Sequence, residues 1–115
     1  MLIRSQDKEM IINMTVTNHI YVEDEYRPNG NLFDISTDET ILGRYSSKAK
    51  AMKVLDMIQE AYADAELIPM TVPNIGKMFQ EAPASKENEL LAEAIGEVLM
   101  NKMVFQMPED SEVEV

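Results

Sequence analysis

The densest collection of groups able to do chemistry is Arg44-Tyr45-Ser46-Ser47-Lys48-Ala49-Lys50-Ala51-Met52-Lys53, which sets four cations around a predicted helix start. Helix starts ordinarily gather Asp and Glu, because unpaired first-turn amides and the macrodipole make that end positive. Here the bias is reversed. Two hydroxyls, free amides and the ammonium of Lys48 or Lys50 would together hold a phosphate or carboxylate, and Tyr45 could stack on a base or sugar. The ligand-binding candidates are therefore Arg44, Tyr45, Ser46, Ser47, Lys48 and Lys50. The plainer alternative is a capped helix whose lysines point into water. Arg4 and Arg27 would join the patch only where the fold or an oligomer brings them close.

Other chemistry is sparsely represented. The chain has no cysteine and one histidine, which excludes disulfide frameworks, thiolate metal sites, cysteine nucleophiles and multi-histidine metal sites. A Ser-His-Asp arrangement would have to use His19, and no Gly-x-Ser-x-Gly surrounds any serine. The four glycines, at 30, 43, 76 and 96, have neither Walker-loop nor dinucleotide spacing. Asp34, Asp38 and Glu39 lie near predicted turns, and Glu23-Asp24-Glu25 matches no calcium loop. No catalytic residue, metal ligand or cofactor is assigned, and the chain is read as a non-enzyme.

The elements that would position the basic patch follow from periodicity. Met10–Val16 and His19–Val22 are rich in β-branched and aromatic residues, as strands are. Pro28-Asn29-Gly30-Asn31 predicts a hairpin turn, Leu32–Ile35 the returning strand, Thr37–Glu39 a second turn and Thr40–Tyr45 a further strand. An antiparallel meander of three to five strands is expected. At Ser46-Ser47 the apolar period changes to about 3.6, with Ala51, Leu55, Ile58 and Tyr62 on one stripe and Val54, Ala61 and Ala65 beside it. This helix would cover the sheet, and Pro69 predicts its stop after residue 66 or so.

Residues 69–84 contain Pro69, Pro73, Gly76 and Pro83, and predict a connector with one short helical turn around Ile75–Phe79. A second helix is expected from Ser85, with Leu91, Ala94, Ile95, Val98 and Leu99 on its apolar side and Glu87, Glu89, Glu93 and Glu97 opposite. Val104–Pro108 reads as a short closing strand. The fold class expected is α+β: an N-terminal antiparallel β-meander packed by a helix, with an added C-terminal helix. Residues 1–108 would form one domain and 109–115 a loosely held acidic tail.

A formal charge of −11 in 115 residues argues against direct nucleic-acid binding over the whole surface. The charge is uneven: residues 1–53 carry seven basic and eight acidic groups, residues 54–115 three and thirteen. An acidic second half is a solvated surface or a face for a basic protein partner. No run of eighteen apolar residues and no signal-peptide core occurs, so membrane association is not expected and the cytoplasm is the default compartment. Ten methionines are many for this length. The group Met100, Met103, Val104, Phe105 and Met107 suits either core packing or a homo-oligomer interface.

Three segments carry a resemblance: Met1-Leu2-Ile3-Arg4-Ser5-Gln6-Asp7-Lys8, Ile41-Leu42-Gly43-Arg44-Tyr45 with Lys50–Gln59, and Val104-Phe105-Gln106-Met107-Pro108. With these the chain resembles a family of small phage and prophage proteins of Firmicutes. About half the chain is covered, residues 67–103 being outside it, and no catalytic or binding residue carries over. The resemblance implies a phage origin, and small accessory phage proteins often act against host defences. Two expectations follow. One is a non-enzymatic counter-defence protein that sequesters a nucleotide-derived immune signal at the Arg44–Lys53 patch, within a homo-oligomer. The other is an acidic inhibitor that occupies a host defence nuclease.

Overall fold

The computed structural model describes residues 1–81 and 85–115, with side chains described for 1–67, 85–98 and 103–115. Strands β1 (Leu2–Arg4), β2 (Ile11–Asn13), β3 (Tyr21–Glu25), β4 (Leu32–Ser36) and β5 (Ile41–Tyr45) precede helices α1 (Lys48–Glu81) and α2 (Lys86–Lys102). Strand β6 (Val104–Gln106) follows them. The architecture is α+β. Strands β3-β4-β5 form an antiparallel meander, with Val22 opposite Ile35 and Asp34 opposite Arg44. The other three build a second sheet in the order β2-β1-β6, in which β1 runs antiparallel to β2 and parallel to β6.

Local chemistry sets the strand ends. At the β3–β4 turn Gly30 takes a φ of 122°, a region that side chains disfavour. At the β4–β5 turn the Thr37 hydroxyl accepts from the amides of Glu39 and Thr40 at 3.3 and 3.1 Å. The expected Met10–Val16 strand is shorter. Asn13 stops it by taking the Thr15 amide onto its side-chain oxygen at 2.9 Å, which starts a 3-10 turn over Met14–Val16.

Helix α1 lays Ala51, Val54 and Ile58 on the meander, where they are buried with Ile35, Leu42 and Tyr45. Leu55, Ala61, Tyr62 and Ala65 are half-buried. Each fully buried branched side chain contributes about 1.5–3 kcal/mol. Contrary to the expected stop, α1 continues through Pro69 and Pro73 to Glu81 and takes in Ile75–Phe79. A helical proline removes one i to i−4 bond, a local cost that does not oblige the helix to end. Residues 82–84 of the expected connector lie outside the described residues.

Ser85 starts α2, its hydroxyl accepting from the Asn88 amide at 3.1 Å, with Glu87 and Glu89 in the first turn. The two helices lie against each other and draw the molecule out to 65 × 27 × 24 Å. The apolar side expected of α2 is largely uncovered: Leu91 and Val98 are 53% and 55% exposed, and Ala94 is exposed as well. Ile95 is half-buried. The side chains of Leu99 and Met100 lie outside the described residues.

The chain end differs most from expectation. Glu109–Val115 is docked, with a 3-10 turn at Asp110–Glu112 and Val113 buried in the core beside Ile3 and Met107. Asp110 pairs with Lys50 in the first turn of α1 and Lys53 reaches the Glu114 carbonyl, contacts that the bare composition of a seven-residue acidic tail does not reveal.

Candidate functional site

Three segments far apart in the chain, residues 1–8, 41–59 and 104–108, meet at one joint. Ser5 takes the Met10 amide onto its hydroxyl at 3.1 Å and donates to Asp7 at 2.5 Å, which closes the β1–β2 turn. That hydroxyl and the Glu9 amide hold the Asp7 carboxyl below its usual range. The next residue, Gln6, acts as a strand substitute on the open edge of β5. Its Oε1 accepts from the Arg44 amide at 2.9 Å, and its Nε2 donates to the Arg44 and Pro108 carbonyls, both at 3.1 Å. From the third segment, Gln106 Nε2 donates to the Ser5 and Met107 carbonyls, both at 2.9 Å. A Cβ on Gly43 would lie 3.1 Å from Met107 Cε and from the Tyr45 hydroxyl, so this glycine admits both side chains.

Against this frame the predicted site residues separate. Arg44 faces a carboxylate pair. Its Nε and Nη2 donate to Asp34 at 2.8 and 3.2 Å, and Nη2 also meets Glu25 at 2.5 Å. Arg27 closes the same group from the other side of Glu25 at 3.1 Å. The bonds to Asp34 push the guanidinium pKa up, and Asp34 itself is only 4% exposed. Tyr45 is fully buried and donates to the Pro108 carbonyl at 2.8 Å. Burial, followed by the charges of Glu109, Asp110 and Glu112, pushes its pKa upward, so it is a protonated core residue. Stacking on a base or sugar, expected of Tyr45, is corrected by this burial.

Ser46 and Lys50 converge on a carboxylate that the chain itself supplies, that of Asp110. Asp110 accepts from the Ser46 amide at 2.8 Å, from the Ser46 hydroxyl at 3.0 Å and from Lys50 Nζ at 3.3 Å. Lys50 also donates to the Asp110 carbonyl at 2.9 Å. The Ser46 amide leads the causes that hold the Asp110 carboxyl below its usual range. Ser47 is the N-cap, its hydroxyl accepting from the Lys50 amide at 3.2 Å. Lys53 reaches the Glu114 carbonyl. Lys48, in the helix's first turn, is exposed and has no side-chain partner among the described residues. Arg4 stands apart from these contacts, donating to the Lys8 carbonyl at 3.0 Å.

Of the six candidates only Ser46 and Lys50 meet at one point, and sequence reasoning missed Asp110, the carboxylate they hold. The signal was available: α1 has no acid in its first turn, and a surplus of acid lies at the chain end. It also missed Gln6, whose amide role depends on a neighbour 38 residues away. Of the methionine-rich segment, Met107 is in the core and Phe105 half-buried, whereas Met103 and Val104 are 46% and 42% exposed. Val104 lies beside Leu2, 37% exposed, on the outer face of the second sheet. Among the described residues no group of three or more His, Asp or Glu converges as a metal site, and no helix is long and apolar enough to cross a membrane. Comparison with family models, curated proteins and solved structures finds no match in any of the three.

Proposed function

We propose that the chain is a non-enzymatic accessory protein of phage origin that acts in the bacterial cytoplasm by binding and sequestering a nucleotide-derived immune signal, as a homo-oligomer. The observation that carries this reading is the cradle at the start of α1, where a backbone amide, a hydroxyl and an ammonium converge on one carboxylate. The same donors suit a phosphate oxygen. In this reading a phosphate displaces Asp110 or binds at its side through Lys48. A second copy, packed on the sheet face that bears Leu2 and Val104, would complete the enclosure. The phage origin rests on the resembling segments, which occupy one structural joint.

Calorimetric titration with ADP-ribose and with a cyclic dinucleotide tests the reading, alongside native mass spectrometry of protein purified from a bacterial host. Saturable binding that weakens in Lys48→Ala is expected. Binding by neither compound, together with an empty monomer, would remove the signal-sequestering reading. Lys48 is the informative position because Arg44→Ala would leave Asp34 buried without its partner.

A second reading is favoured by the helical arm. Glu87, Glu89, Glu93 and Glu97 are exposed on α2 together with Leu90, Leu91 and Val98, a combination suited to a protein surface with a basic rim and an apolar centre. An inhibitor of a host defence nuclease would bind through this helix. Its affinity should fall with salt and with charge reversal at Glu93 or Glu97, and salt-independent capture would count against it.

A further inference from the structure

A cleft of about 510 Å³, which shares no lining residue with the basic patch, lies between the β2 end with its 3-10 turn and the β4–β5 turn. Its size is within the range of small-molecule sites. Met10, Ile12 and Val16 are the apolar residues of its lining, and Asn13, Thr17, Asn18, Thr37 and Thr40 the uncharged polar ones. The charged groups are all of one sign: Asp38 and Glu39 line the cleft, and no Lys or Arg does. Asp38 is engaged from outside the lining, its Oδ2 meeting His19 Nδ1 at 3.3 Å. Glu39 is exposed, and its carboxylate has no partner among the described residues.

This lining discriminates between ligand classes. A phosphate or carboxylate brought here would face two carboxylates without a compensating cation, at a cost that a partly enclosed site makes larger. An uncharged apolar molecule would find Met10, Ile12 and Val16 but would desolvate the acidic rim without replacing its water. An ammonium or guanidinium on an apolar stem fits both parts: its stem lies along the apolar lining and its charge reaches Glu39 and Asp38. The protein's overall charge of −11 raises the local concentration of such a cation. We infer that the cleft between the β2 end and the β4–β5 turn is a second binding site, for a small organic cation with an apolar body. It is independent of the anion cradle, which lies at the start of α1 and has the opposite charge preference.

Three probes with one skeleton test the assignment: tyramine, neutral 4-ethylphenol, and 3-(4-hydroxyphenyl)propionate, each titrated into the full chain and followed by amide NMR shifts. Tyramine should give saturable shifts concentrated at Asn13–Asn18 and Thr37–Thr40, and the propionate should give none there. Glu39→Gln should weaken tyramine by roughly threefold, as expected of one partly exposed ion pair, and Asp38→Asn by a similar factor. These are turn positions on the surface, so both variants retain the fold, and their unshifted core amides check that they do. Equal binding of the propionate, tyramine shifts spread over the acidic helices, or no saturable shift with any probe would overturn the assignment.

Discussion

At the scale of single residues, two charged groups hold the predicted site in its present form. Arg44 lies over a carboxylate that is almost wholly withdrawn from water, so Arg44→Ala leaves Asp34 buried without its partner. The expected loss is about 3 kcal/mol, read as a lowered denaturation midpoint, and Arg44→Lys should recover only part of it because one ammonium cannot reproduce two parallel N–H bonds. Asp110 behaves differently. Its carboxylate is partly exposed, and Asp110→Asn should cost about 1 kcal/mol, the scale of a lost helix cap. Because its folded pKa lies below the usual range, its contribution is present above the unfolded carboxylate value and is lost as pH falls through the folded one. Stability curves of the native protein and of Asp110→Asn should therefore converge in acid and separate towards neutral pH. Parallel curves throughout would show that the carboxylate charge does not hold the tail.

At the scale of elements, the joint between the sheets depends on one side-chain amide. Gln6→Leu keeps the volume but leaves the Arg44 amide and carbonyl without the partners that Gln6 supplies, an expected loss of about 2 kcal/mol. Hydrogen exchange should show it most at the Arg44 amide, while the β3–β4 pairing stays protected. This joint explains what was legible beforehand. The meander could be read because β3, β4 and β5 are neighbours in sequence joined by recognisable turns, and α1 because its buried stripe recurs within a few residues. The second sheet could not, since β1 and β6 bring together Ile3 and Phe105 by a pairing with no local signature. Nor could the length of α1: Pro69 is a local rule about a boundary, and the observed helix runs past it. For the site, residue types and capping were legible, whereas the source of the balancing acid was not, because it arrives from 64 residues away.

At the scale of the whole molecule, both ends of the chain enter one core: Ile3 near the start, Met107 and Val113 near the finish. Deleting residues 104–115 removes the partner of β1 and two buried side chains together. The expected result is loss of a single cooperative unfolding transition, measured by heat or denaturant, and a retained sharp transition would show that the meander and α1 suffice. The parallel pairing of β1 with β6 also has a consequence for biosynthesis. The first strand leaves the ribosome about 100 residues before its partner, an interval of about 5–20 s at bacterial and eukaryotic elongation rates. During that time Leu2–Arg4 can pair only with β2, and the nascent meander has no C-terminal segment to close the joint. Until residues 104–106 have been made, one side of the N-terminal strand is an unpaired edge, open to the edge of a neighbouring chain.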